Sequence, residues 1–149
     1  MTTIDFILRL FAALTAGLLI GIERQWHKRS AGLRTNTLVA VGAALYVLLS
    51  INMSQFGGDV TRIISQVVTG IGFLGAGIIF KDGLNIKGLN TAATVWCASA
   101  LGCTAAAGLF KETLIGTLTV MAINLFLIPI DKWIANHSES ESHHQTNEE

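Results

Sequence analysis

Charged side chains are scarce in this sequence: Asp, Glu, Lys and Arg make up 13% of its 149 residues. A soluble domain usually carries about 25% of them, so the scarcity argues against an ordinary soluble protein. Acidic and basic residues are equal in number, and without a positive excess we expect no nucleic-acid partner. Hydrophobic residues make up 51% of the chain, which indicates a protein embedded in a lipid bilayer.

Cysteine and proline are also rare. Cys97 and Cys103 are six residues apart, so on one helix they lie on different faces and do not bridge each other. Their spacing is not that of a metal or redox motif. The single proline, Pro129, and the fifteen glycines argue against a disordered chain and favour helices that pack closely through small residues.

Acidic residues are missing from the middle of every apolar stretch. Magnesium and calcium need several oxygen ligands, usually including carboxylates, and proton-coupled carriers usually need an acidic group within the membrane. This absence argues against a transporter, although water and carbonyl oxygens can also line a pore. The sequence contains no nucleophile–base pair, phosphate loop or metal cluster, so we expect no enzyme, no cofactor and no metal site.

Five apolar stretches are present, and each has about the length that a helix needs to cross a membrane. They span residues 4–22, 37–53, 63–80, 91–109 and 113–130. No segment between them is rich enough in turn residues to separate domains. The sequence therefore predicts an all-α membrane protein with one five-helix domain over 1–135. Residues 136–149 are polar and lack an apolar anchor, so we expect a disordered tail.

Basic residues predict the orientation, because they favour the cytoplasmic ends of membrane helices. With the N-terminus outside, the cytoplasmic loops and the C-terminal tail would hold Arg24, Lys28, Arg29, Arg34, Lys81, Lys87 and Lys132. The other side would hold Arg9, Arg62 and Lys111. An odd number of helices then puts the C-terminus in the cytoplasm.

One short sequence segment occurs twice in similar form. Residues 32–39, Gly-Leu-Arg-Thr-Asn-Thr-Leu-Val, share four of eight identities with residues 88–95, Gly-Leu-Asn-Thr-Ala-Ala-Thr-Val. This similarity predicts a duplicated helical hairpin, with helices one and two repeated in parallel as helices three and four. Chance resemblance among simple membrane sequences is the alternative.

Small residues at helical spacing predict helix–helix contacts. Gly17 and Gly21 form a GxxxG motif in the first helix. The third helix is the richest in glycine, which predicts that it is the central helix. Its glycines are Gly70, Gly72, Gly75 and Gly77.

Polar residues within the helices are the candidate functional groups. Asn90, Thr94 and Cys97 share one face of the fourth helix, which either packs against a neighbour or forms a site for a partner or ligand. Asn124 in the fifth helix predicts an interhelical hydrogen bond. Asp5 and Arg9 are one turn apart, so they can pair at the membrane edge or face the interior of the bundle.

Four segments together resemble the signature of the MgtC/SapB family. They are 21–25 (Gly-Ile-Glu-Arg-Gln), 31–35 (Ala-Gly-Leu-Arg-Thr), 70–77 (Gly-Ile-Gly-Phe-Leu-Gly-Ala-Gly) and 88–96 (Gly-Leu-Asn-Thr-Ala-Ala-Thr-Val-Trp). The resemblance covers roughly residues 5 to 130 and is closest to the virulence-associated members. Many members carry a soluble cytoplasmic domain after the last helix, whereas this sequence ends after a short polar tail, so regulation through such a domain is not assumed.

The resemblance implies a multi-pass protein of the bacterial inner membrane. It implies a role in growth at low magnesium and in survival inside phagocytes, with regulation of membrane energetics and of the F-type ATP synthase as a suggested mechanism. By the same resemblance, Asn90 and Cys97 match functionally sensitive positions of the family. Asp5, Glu23, Arg24 and Arg34 match its charged signature positions.

Two functions from different classes follow. The first is a regulatory protein that binds another membrane complex, or a second copy of itself, through its helices. The alternative is a transporter or channel for magnesium or another cation, which the duplicated hairpin favours.

Overall fold

The computed structural model describes the backbone of residues 1–145 and the side chains of residues 1–127. This part of the chain forms five helices and one small hairpin of strands. The elements are α1 Thr3–Trp26, α2 Leu33–Ser54, α3 Val60–Ile78, β1 Phe80–Asp82, β2 Asn85–Lys87, α4 Leu89–Ala106 and α5 Phe110–Gln145. The prediction of an all-α, five-helix fold is confirmed.

Four helices in the described part are long and apolar enough to cross a membrane: α1, α2, α3 and the Phe110–Leu127 part of α5. The remaining helix, α4, lies at the centre and packs against all the others. Most of its residues are buried. A helix surrounded by other helices can carry more polar residues than a helix that faces lipid, which fits the buried Thr91, Thr94 and Ser99 of α4.

The third helix is not central, contrary to the prediction. Only Ile71 of α3 is buried, and a Cβ atom added at Gly70, Gly72 or Gly77 would meet no atom within 4 Å. Gly75 alone approaches a neighbour, with the Ala92 side chain 3.8 Å from its added Cβ. The glycines thus leave α3 with little side-chain surface to bury, and it lies at the edge of the bundle against α2 and α4.

Close helix approach occurs instead at glycines of α1 and α4. A Cβ atom on Gly17 would lie 2.8 Å from the Thr37 Cα atom, and one on Gly21 would lie 2.6 Å from the Leu33 Cα atom. On α4, a Cβ atom on Gly102 would collide with the backbone of Ala40. Small residues at these three positions let α1 and α4 lie directly against the backbone of α2, which is how helices associate strongly in lipid.

The start of α1 does not contain the predicted Asp5–Arg9 pair. Asp5 forms a capping box with Thr2, because its carboxylate accepts from the Thr2 backbone N–H at 3.1 Å while the Thr2 hydroxyl accepts from the Asp5 N–H. Arg9 donates instead to the Ala106 carbonyl at 2.7 Å, at the end of α4. The cation thereby interacts with the negative end of the α4 dipole, and it fixes the start of α1 beside the end of α4.

The two copies of the repeated phrase occupy equivalent places. Gly32 is the N-cap of α2 and Gly88 is the N-cap of α4. The segments before them differ, however. A turn without strands precedes Gly32, whereas the antiparallel hairpin of β1 and β2 precedes Gly88, which has a positive φ of 93°. The orientation of the bundle in the membrane stays a prediction.

The backbone of α5 is helical through Gln145. The predicted domain boundary at residue 135 and the disordered tail over 136–149 stay predictions. Residues 146–149 lie outside the described residues.

Candidate functional site

Two adjacent charged residues are buried near the end of α1. Glu23 is 6% exposed and Arg24 is 2% exposed. Neighbouring residues on a helix point about 100° apart, so the two side chains reach different helices. Charged side chains at such depth in a membrane bundle are expensive and mark candidate functional sites.

The Arg24 guanidinium connects α1 to the first turns of α4. Its Nη2 atom donates to the Thr91 hydroxyl at 2.7 Å and to the Ser30 carbonyl at 3.0 Å. Its Nη1 atom lies 3.5 Å from the Thr94 hydroxyl, and the Ser30 and Thr91 hydroxyls are 3.1 Å apart. The planar fork of arginine thus joins α1, the following turn and α4 in one hydrogen-bonded cluster.

The Glu23 carboxylate connects α1 to α5. Its Oε2 atom accepts from Asn124 Nδ2 at 3.1 Å, and its Oε1 atom lies 3.3 Å from His27 Nδ1. The interhelical hydrogen bond predicted for Asn124 is confirmed. Glu23 directly follows the first apolar stretch in the sequence, but its side chain lies inside the bundle, so the protein has a buried carboxylate near the end of α1.

Asn36 shapes the turn between α1 and α2. It is fully buried, and its Nδ2 atom donates to the carbonyls of Ala31 and Gly32 at 2.5 and 3.0 Å. Ala31 has a positive φ of 54°, a conformation that is unfavourable for residues with a Cβ atom. The side chain of Asn36 therefore stabilises a strained turn, which in turn presents the Ser30 carbonyl to Arg24.

The polar face predicted for α4 divides into two parts. Thr94 is buried, donates to the Asn90 carbonyl at 2.9 Å and belongs with Thr91 in the Arg24 cluster. Asn90 is exposed and Cys97 is half-buried. Thr94 and Asn90 are one turn apart and adjoin each other, with the Thr94 hydroxyl 3.5 Å from Asn90 Oδ1; they differ in burial, because Thr94 faces the Arg24 cluster and Asn90 faces outward.

Asn90 and Cys97 lie on a strip of small and polar residues that we call the α4 strip. All its members are exposed or half-buried, and they follow one another at steps of three or four residues. They are Asn90, Ala93, Cys97, Ala100 and Thr104. No member of the strip has a side chain larger than asparagine, although the exposed Trp96 lies beside Ala93 and Ala100 at the edge of the strip. Another helix can approach the α4 backbone closely on the side of the strip away from Trp96.

Neither of the two remaining predicted charged residues, Asp5 and Arg34, belongs to the buried cluster. Asp5 is exposed and lies about 27 Å from Glu23 along α1. Arg34 is near the cluster in sequence, but its side chain is exposed. Within the described residues, no group of three or more His, Cys, Asp or Glu could hold a metal ion.

Comparison with known proteins places the chain in one family. The sequence model of the MgtC family matches residues 10–133. The MgtC protein of Salmonella typhimurium is 49% identical over 127 residues, which are 85% of this chain and 54% of that protein. The MgtC protein of Brucella abortus is 54% identical over 123 residues, 81% of this chain and 50% of that protein.

A protein of Synechocystis that is named only as uncharacterized is 50% identical over 138 residues, 93% of this chain and 58% of that protein. No solved structure matches the chain. The chain thus spans about half the length of the curated relatives it matches. With membrane-spanning helices, the buried Glu23–Arg24 cluster and this level of identity, the chain is a membrane protein that belongs to the MgtC family.

Proposed function

We propose that this protein is an MgtC-type regulator in the bacterial inner membrane. It supports growth at low magnesium and survival inside phagocytes, and it acts by binding another membrane complex and thereby adjusting membrane energetics. The F-type ATP synthase is the candidate complex. The identity to proteins named MgtC supports the MgtC-type role, and the α4 strip supports the binding of another membrane complex.

The α4 strip is the observation that carries the binding mechanism. Asn90 offers an exposed amide whose Nδ2 has no hydrogen-bond partner among the described side chains and backbone, and the small side chains of Ala93, Cys97 and Ala100 leave the helix backbone accessible. In lipid, a transmembrane helix that supplies a polar group opposite Asn90 would satisfy the amide and pack closely along the strip. The Arg24 cluster holds the first turns of α4, and so positions the strip.

Asn90→Ala tests this proposal. The strip predicts that the variant loses support of growth at low magnesium while its abundance in the membrane stays at the wild-type level. Asn52→Ala is the matched control, because Asn52 is also an exposed asparagine on a membrane helix, near the far end of α2. An Asn90→Ala protein that disappears from the membrane would mean that Asn90 is structural.

A cation transporter is the second candidate, and the buried Glu23 carboxylate is the observation that favours it. A carboxylate beside an amide within the bundle is a group that a permeating cation can use. Magnesium flux into liposomes that contain only the purified protein, and its loss in Glu23→Gln, would support transport. Folded protein that gives no flux leaves the regulatory proposal as the explanation.

A further inference from the structure

The hairpin of β1 and β2 exposes apolar side chains outside the membrane-spanning helices. All six of its strand residues are exposed. Phe80, Leu84 and Ile86 each expose more than half of their surface, and Leu84 at the tip is 96% exposed. A two-stranded hairpin on its own is only marginally stable in water. It therefore gains stability from any surface that takes up these apolar side chains.

The base of the hairpin is fixed against the end of α3. Gly88 follows β2 directly and has a φ of 93°. A Cβ atom at Gly88 would lie 3.0 Å from the Ile78 carbonyl carbon and 3.2 Å from the Ile79 Cα atom. Glycine permits both this conformation and this close approach. The hairpin thus begins at a defined place, directly after the end of a helix that is long and apolar enough to cross a membrane.

The hairpin is also too short to extend far from the membrane. The 19 residues of α3 give a length of about 28 Å, close to the roughly 30 Å thickness of the hydrocarbon, so Ile78 lies near its boundary. Each strand has three residues, or about 10 Å, and the headgroup layer is about 5–8 Å thick. A hairpin that leans towards the membrane therefore stays within the headgroup layer.

The same end of the bundle carries an excess of exposed positive charge. Lys87 pairs with Asp82, whereas Lys81 has no carboxylate partner among the described residues. The turn between α1 and α2 lies beside the start of α4, because the Ser30 and Thr91 hydroxyls are 3.1 Å apart. This turn adds three exposed cations, which are Lys28, Arg29 and Arg34. Such an excess is complementary to the phosphate groups of anionic lipids.

We propose that the β1–β2 hairpin binds anionic phospholipids of the bilayer in which α3 ends. Lys81 and Ile86 are cross-strand partners, so their side chains lie on one face of the hairpin. On this face the ammonium group binds lipid phosphate, while Ile86 and the tip residue Leu84 enter the boundary with the acyl chains. A bilayer takes up the charge and the apolar side chains together, which free phosphate does not. This inference does not rest on the proposed function.

Fluorescence quenching tests where the hairpin lies. With Cys97 and Cys103 replaced by alanine, a dye attached to Leu84→Cys in liposomes should be quenched by lipids that carry a nitroxide near the headgroup, and little by iodide in the water. Gln55→Cys is the matched control, because Gln55 is exposed in the turn at the opposite end of α3 and should show the reverse.

Two results of this experiment would overturn the proposal. In the first, iodide reaches the dye at residue 84 as easily as the dye at residue 55. In the second, the dye at residue 84 is protected from iodide in native membranes but not in liposomes of the purified protein, which would mean that another protein covers the hairpin.

Lys81→Gln tests the preference for anionic lipid. Lipid quenching of the dye at residue 84 should be stronger in vesicles that contain phosphatidylglycerol than in vesicles of phosphatidylcholine alone. In the former, Lys81→Gln should lower the ratio of bound to free hairpin about fivefold, the effect expected of one basic residue at an anionic surface. Lys111→Gln, which changes an exposed lysine at the other end of the bundle, should leave the ratio unchanged. Equal quenching in both kinds of vesicle, or equal effects of the two substitutions, would contradict the proposal.

Discussion

Gly102→Ala is expected to destabilise the whole bundle, although alanine favours a helix by about 1 kcal/mol over glycine. The new Cβ atom would lie 2.9 Å from the Ala40 carbonyl carbon and 3.0 Å from its Cα atom, and closer still to its carbonyl oxygen. Backbone atoms cannot rotate aside as a side-chain end can, so α2 and α4 must separate. Overpacking of this kind costs about 1–3 kcal/mol or more, which exceeds the gain in helix propensity.

The matched control is Gly72→Ala, the same change on a membrane helix where the added atom meets nothing within 4 Å. Thermal unfolding of the purified variants in one detergent should show a lower melting temperature for Gly102→Ala. For Gly72→Ala it should show an unchanged or slightly higher one, from the helix propensity alone. Equal melting temperatures would show that the contact between α2 and α4 relaxes without cost.

Arg24→Ala is expected to have the second large effect, a loss of about 3–5 kcal/mol, which is typical when one partner is removed from a buried charged network. The substitution leaves the hydroxyls of Thr91 and Thr94 without the cation between them. It also removes the positive charge next to the buried Glu23 carboxylate. The first turns of α4, and with them the α4 strip, then lose their connection to α1.

Arg34→Ala is the control for this prediction, because it removes an arginine of the same segment whose side chain is exposed. Its melting temperature should stay at the wild-type value. The melting temperature of Arg24→Lys should fall between those of Arg24→Ala and Arg34→Ala. An ammonium keeps the charge but lacks the second nitrogen with which the guanidinium faces Thr94 while its Nη2 bonds Ser30 and Thr91. Full stability of Arg24→Lys would mean that charge alone, rather than the bidentate geometry, holds the cluster.

Helix number was predictable from apolar length, but several helix ends were not. The structure starts α2 at Leu33, four residues before the apolar stretch, because a polar first turn can form where its exposed residues face water. It ends α3 at Ile78, before Phe80 pairs with Lys87 in the strand hairpin. Apolarity measures burial in lipid, whereas a helix end is decided by local capping and pairing.

Three residues of the buried polar site could be predicted from the sequence, but the contacts between them and their partners could not. Glu23 and Arg24 were predicted from the resemblance, and Asn124 was predicted to bond another helix. Their partners were not predicted, because the Arg24–Thr91 and Glu23–Asn124 contacts join residues 67 and 101 positions apart. Periodicity within one helix contains no information about such pairs. For the Arg24–Thr91 contact the sequence offered one signal: Thr91 is identical to Thr35 at the equivalent position of the two similar segments.

The role of α3 was predicted wrongly for a related reason. A high glycine content indicates that a helix packs closely against something, but it does not say whether that neighbour belongs to the same chain. In the single chain, the close contacts occur at Gly17, Gly21 and Gly102. Gly70, Gly72 and Gly77 have no such contact there.

The hydrogen bond between Glu23 and Asn124 also has a consequence for the order in which the protein is made. The carboxylate is synthesised 101 residues before the amide, which at about 5–20 residues per second amounts to roughly 5–20 s. During this interval α1 is already available for insertion while α5 does not yet exist, so the Glu23 carboxylate lacks the Asn124 amide that pairs with it in the folded protein. A nascent chain stopped before residue 124 therefore lacks the hydrogen bond that joins α1 to α5.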